Sequence, residues 1–132
     1  MSKFSSIREF AEAYTAAWCS EDPASVASFF EADGSLAVND GDPAVGRQAI
    51  TSVAQGFMTD LPDMQVFLDD VVAQEGGAVY HWTLTGTNTG PGGTGRSIRI
   101  SGFEEWEIGA NGLIAKSAGH FDAEDYARQI GS

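Results

Sequence analysis

A chain of 132 residues has the length of one ordinary domain, and a hydrophobic content of 42% with 11% aromatics is enough to build a packed core without a metal or disulfide staple. Nineteen acidic residues against seven basic ones leave a net charge of −12, and Arg47 and Arg96 enclose a long stretch with no Lys or Arg. Such a surface repels phosphate backbones and anionic membranes, so the charge argues for solvation and against nucleic acid or membrane as partner. Cys19 is the sole cysteine, no apolar run approaches ~18 residues, and the opening Met-Ser-Lys-Phe-Ser-Ser leads into no apolar segment. The expectation is a soluble cytoplasmic protein of one domain over residues 1–132, without signal peptide or membrane span.

Ser6-Ile7-Arg8-Glu9 has the form of a capping box, and Ile7, Phe10, Ala11, Tyr14 and Trp18 follow at helical spacing. Asp22-Pro23 opens a second helix, with Val26, Phe29 and Phe30 as its buried face and Asp33-Gly34 as its stop. Ser35 to Asn39 reads as a short strand, and Gly41-Asp42-Pro43 as a turn. Ile50, Val53, Ala54 and Phe57 restore helical spacing from Arg47 to about Thr59, and Pro62 ends that helix. Four β-rich runs follow, 64–74, 78–88, 97–108 and 113–122, separated by turn chemistry, and a short helix begins near Ala123. Helices first and an antiparallel meander second define an α+β plan.

Gly90 to Ser97 nearly matches a phosphate-binding loop, but the strand alternation of Ile98 and Ile100 follows it where a helix N-terminus is required. It reads as a loop between strands. His81 and His120 have no partners at metal-ligand spacing, and no Gly-x-Ser-x-Gly elbow is present, so neither a metal nor a serine nucleophile is expected. Trp82 and Trp106 fit core packing and also fit the wall of an apolar ligand site. His120 and Asp122 stand two apart at the end of the last strand, on one face of the sheet. A carboxylate at an apolar pocket suits a general base, while the local alternative is that Asp122 caps the helix starting at Ala123.

Taken in order, Phe29-Phe30, Val45-Gly46-Arg47 before a third helix and four long strands resemble the nuclear transport factor 2-like cone shared with ketosteroid isomerases. More narrowly, Trp82-x-x-x-Gly86-Thr87-Asn88-x-Gly90, Thr94-Gly95-Arg96, Asn111-Gly112-Leu113-Ile114 and Asp122 followed by Gln129-Ile130-Gly131 resemble the SnoaL-like polyketide cyclase group. The resemblance implies a cone-shaped, curved, mixed and mostly antiparallel sheet with three N-terminal helices enclosing an apolar pocket, usually in a homodimer. It also implies an intramolecular aldol or related proton transfer on a hydrophobic carbonyl compound, without cofactor or metal. Asp122 falls at the family's acid/base position, with His120 or Asn88 orienting the oxygen. Tyr14, Trp18, Asn39, Phe57, Trp82, Asn88 and Trp106 are the expected ligand contacts. The sequence departs from the family where Asn88 replaces a His and where Ser117-Ala118-Gly119 replaces His-Trp-Asp. Two other readings of the same fold stay open: a non-catalytic binding module, and an epoxide hydrolase or dehydratase for which Arg99 and Glu105 are the candidates. The homodimer is expected through the sheet face carrying Val79, His81, Thr83 and Thr85.

Overall fold

The computed structural model describes residues 6–131, so the reading of the first five residues lies outside it. Ser6 caps helix α1 (Ile7–Cys19) by accepting the Glu9 amide at 3.1 Å, which satisfies one orphan donor of the first turn. Asp22 does the same for Ala24 at the start of α2 (Pro23–Ala27), with Pro23 in the first turn. This second helix is shorter than its pattern suggests. Phe29 and Phe30 belong to the chain leaving it, and strand β1 (Phe30–Val38) runs straight through Asp33-Gly34. The reason lies in the sheet. The Phe29 carbonyl accepts the Ile114 amide at 2.9 Å, and a Cβ on Gly34 would stand 2.8 Å from the Ile114 carbonyl oxygen. Gly34 thus permits a close strand approach and does not stop a helix.

After the turn come a two-residue strand β2 (Ala44–Val45), not foreseen from the sequence, and helix α3 (Arg47–Asp60). Strands β3 (Gln65–Gln74), β4 (Gly77–Thr87), β5 (Ser97–Ile108) and β6 (Ile114–Phe121) form the meander, and α4 (Ala123–Ile130) closes the chain. The six strands lie in the order β2-β1-β6-β5-β4-β3, with β1 and β6 parallel and every other neighbouring pair antiparallel. The register of β4 on β5 is continuous from Gly77 opposite Glu107 to Thr87 opposite Ser97, so Gly102 marks no bulge. Register shifts lie elsewhere, between Leu68 and Asp70 in β3, between Glu107 and Ile108 in β5 and between Phe30 and Ser35 in β1.

Alternation sorts the side chains onto two faces. Ala78, Tyr80, Trp82 and Leu84 of β4, and Ile98, Ile100, Glu104 and Trp106 of β5, are buried on the inner face. Helix α1 packs beside β3 and α3 beside β1. Their residues Phe10, Tyr14, Trp18, Ile50, Ala54 and Met58 join that face in one core. The result is a curved, open mixed sheet backed by helices, as expected from the resemblance. Among the described residues no helix is long and apolar enough to cross a membrane.

Candidate functional site

Helices and sheet do not close completely. Between them lies a cavity of about 60 Å³, open on one side, with Trp18 from α1 and Val53 and Phe57 from α3 along one wall. Leu36 and Val38 of β1, Val66 of β3, Trp82 and Leu84 of β4, Ile100 of β5, and Gly119 and Phe121 of β6 form the sheet side. Glu104 is the one ionisable side chain in this lining. The cavity is under half the size of the roughly 150 Å³ apolar cavity that accommodates benzene. It has room for a small head group, and the remainder of a larger ligand would extend through the open side.

Glu104 is inward because β5 alternates Ile98, Ile100, Gly102, Glu104, Trp106 on one face. Three donors converge on its Oε1: the Tyr14 hydroxyl at 2.9 Å, the Trp106 indole Nε1 at 2.9 Å and the Ser117 hydroxyl at 2.8 Å. Each is placed by a different rule. Tyr14 lies on the buried stripe of α1, Trp106 is two residues further along the same strand, and Ser117 is paired with Trp106 across the β5–β6 ladder. Oε2 has no hydrogen-bond partner among the described residues. Glu104 pairs with Gly119, which has no side chain to cover it, and both residues line the cavity. Burial pushes the Glu104 carboxyl above the usual carboxylate range, and the three donors oppose that rise. Burial, and next the Glu104 charge, push the Tyr14 phenol well up; burial does the same to Tyr80, so both stay neutral phenols.

Trp82 also lines the cavity. Among the described residues its buried indole Nε1 has no hydrogen-bond partner, and its ring rests against Gly102, where a Cβ would come within 2.7 Å of it. Tyr80 stacks on Trp106 at 4.9 Å and hydrogen-bonds Thr15, which stiffens the side of the site behind Glu104.

The residues expected at the site divide. Trp18, Phe57 and Trp82 line the cavity, while Tyr14 and Trp106 act one step back, on Glu104. Asn39 closes the end of the β1–β6 pair, accepting the Phe121 amide through its side chain at 2.8 Å and donating its own amide to Gly119. Asn88 is buried, but its Nδ2 donates to the Asp60 carbonyl and its Oδ1 accepts the Thr94 amide, so it holds the 89–95 loop rather than the cavity. Asp122 and His120 are not brought to the cavity. Asp122 is exposed and caps α4, accepting the Asp125 amide at 3.0 Å. His120 lies on the outer face, stacked on Phe103 at 4.8 Å with Nε2 3.0 Å from Glu105. Arg99 and Glu105 share that outer face, so they cannot converge on a ligand inside. Glu104 and Ser117 were missed, although the parity of β5 with Ile98, Ile100 and Trp106 already places Glu104 inward. Among the described residues no three His, Cys, Asp or Glu side chains gather as a metal site.

Residues 11–117 match the SnoaL-like domain family, and the chain belongs to it. No curated protein matches the chain significantly. Among solved structures, a hypothetical protein of ketosteroid isomerase-like fold from Catenulispora acidiphila DSM 44928, in complex with trimethylamine, is 16% identical with a TM-score of 0.82, over 93% of this chain and 92% of that one. A SnoaL-like polyketide cyclase, so named provisionally, from Jannaschia sp. CCS1 is 14% identical with a TM-score of 0.79, over 100% and 99% of the two chains. TerC, co-crystallised with polyporic acid, is 16% identical with a TM-score of 0.77, over 95% and 98%. At these identities the likeness is one of fold.

Proposed function

We propose that the protein binds a hydrophobic, carbonyl-bearing small molecule in the cone and moves a proton at carbon, with Glu104 as the acid/base. The observation that carries this reading is the asymmetry of the Glu104 carboxyl. Its Oε1 is held by three donors, its Oε2 has no partner among the described residues, and the side chain lines an apolar cavity. A carboxylate whose basicity is raised by burial is a stronger base toward a carbon acid than one in water. Oε2 would take a proton from the carbon beside the carbonyl, and the C–H electron pair would pass into an enolate. Return of the proton at another carbon is an isomerisation; attack of the enolate carbon on a second carbonyl is a cyclisation. Trp82 lines the cavity and its buried N–H has no partner among the described residues, and we assign that donor to the ligand oxygen. The SnoaL-like membership and the cyclase-like neighbours support this class of chemistry.

A non-catalytic binding module is the second reading, favoured by the single ionisable side chain in the lining. One experiment separates them. Phenylacetone is incubated with the protein in D₂O, and loss of its α-proton signals is followed by NMR. Catalysis through Glu104 gives exchange above the buffer rate that falls about two to four decades in Glu104→Gln, while the probe still perturbs the cavity resonances. Binding without exchange in the wild type would leave the module reading standing and remove the catalytic one.

A further inference from the structure

A buried carboxyl with three neutral donors and no cation is an incomplete ion site. Hydrogen bonds of this kind favour the anionic carboxylate, and a buried charge is ordinarily paired. None of the described Lys or Arg side chains pairs with Glu104. Arg47 donates to the Phe30 carbonyl, and Arg8 and Arg128 lie beside Glu12 and Asp125. Among the described residues the lining of the cavity contains no Lys, Arg or His, but it contains Trp18, Phe57, Trp82 and Phe121. Aromatic faces attract a desolvated cation, and the chain's net charge of −12 draws cations in and keeps anions out.

We propose that the cavity accepts hydrophobic alkylamines, bound as the ammonium ion with an N–H directed at Glu104 Oε2 and the alkyl groups against the aromatic wall. At about 60 Å³ the enclosed space fits the substituted nitrogen and its nearest carbons, with the rest of the molecule leaving by the open side. The proton account is simple. Alkylamines with pKa values of about 10 arrive protonated, as lysine does. A Glu104 carboxyl that is protonated in the empty cavity must release its proton to solvent when the ammonium ion enters. Carboxylic acid and ammonium become a carboxylate–ammonium pair plus one free proton. The inference shares Glu104 with the proposed function but needs no turnover.

The test uses N,N-dimethylbenzylamine and its uncharged carbon isostere isobutylbenzene, titrated into the intact protein by NMR and calorimetry. The amine is expected to bind the wild type at least about tenfold more tightly than the hydrocarbon. Glu104→Gln is expected to remove that advantage and leave isobutylbenzene affinity unchanged. Calorimetry of the wild type in two buffers of different ionisation enthalpy reports proton release on amine binding, below the pH at which Glu104 ionises in the empty cavity. This second measurement stands even if the variant fails to fold. Equal affinity of the wild type for amine and hydrocarbon overturns the proposal, as does an amine advantage that survives in Glu104→Gln. If the amine binds through Glu104 but phenylacetone exchange is the same in wild type and variant, the catalytic reading falls and this one stands.

Discussion

Glu104 is held by three elements at once, through Tyr14 of α1, Trp106 of β5 and Ser117 of β6, and so its titration is coupled to folding. An ordinary Glu ionises near 4.5, and burial raises this in the folded chain. The folded state therefore holds its proton more tightly than the unfolded state. The Glu104 contribution to stability is fully present below about pH 4.5 and is lost as the pH rises through the folded value. Glu104→Gln keeps an acceptor for the three donors and removes the ionisation. Thermal unfolding should show the variant gaining on the wild type as pH rises from about 4 to 8, and a constant difference would contradict a raised carboxyl. Gly119 offers a second single-residue test. A Cβ there would meet the Glu104 Cγ at 3.6 Å and the Ala37 carbonyl at 3.5 Å, both ordinary contacts. Gly119→Ala should thus fold normally while intruding on the space beside Glu104, and titration should show ligand affinity reduced about tenfold or more.

At the scale of elements, the end of β6 and the start of α4 decide how Asp122 behaves. It accepts the Asp125 amide at the helix start, a role in which Asn serves as well as Asp. Asp122→Asn should change stability by less than about 1 kcal/mol, Asp122→Ala should cost about 1 kcal/mol, and neither should alter cavity binding. A loss of phenylacetone exchange in a folded Asp122→Asn protein would return the base to Asp122 and displace Glu104. The helix and strand runs were legible because caps and alternation are local signals: Ser6 and Asp22 open helices, and β5 keeps its apolar parity from Ile98 to Trp106. The end of α2 was not. Phe29 and Phe30 fit a helical face as well as a strand, and only pairing with Ile114, far along the chain, decides between them. The site was legible in its walls, Trp18, Phe57 and Trp82, because large apolar residues on inward faces must meet somewhere. Its polar centre was harder, since Glu104, Ser117 and Tyr14 converge only through strand register and helix packing across 90 residues of chain.

At the scale of the whole molecule, the outer face of the sheet is the surface left to explain. Phe67 and Val72 of β3 are 49% and 44% exposed, unusually so for large apolar side chains in a sheet. Beside them stand Val79, His81 and Phe103, with the His81 and Phe103 rings 6.0 Å apart and His120 stacked on Phe103 from the far side. An apolar and aromatic patch on the outer β surface suits isologous packing against a second copy, the arrangement the family resemblance implies. Acidic groups surround it: Asp70 and Glu105 are exposed, and Asp69, also exposed, accepts the Thr83 hydroxyl. Two chains of net charge −12 repel, so association has to overcome that repulsion by burying the patch. We propose this dimer, and raising the salt concentration from about 0.05 to 0.5 M, which shortens the screening length to a few ångströms, should strengthen it. Sedimentation at micromolar concentration is expected to give a species of twice 13.9 kDa. Phe67→Asp places a further charge on the patch without touching the inner core, and should shift the protein to monomer with its cavity binding retained. A wild type that sediments as a monomer at micromolar concentration and high salt would remove the dimer and leave the exposed Phe67 without a partner.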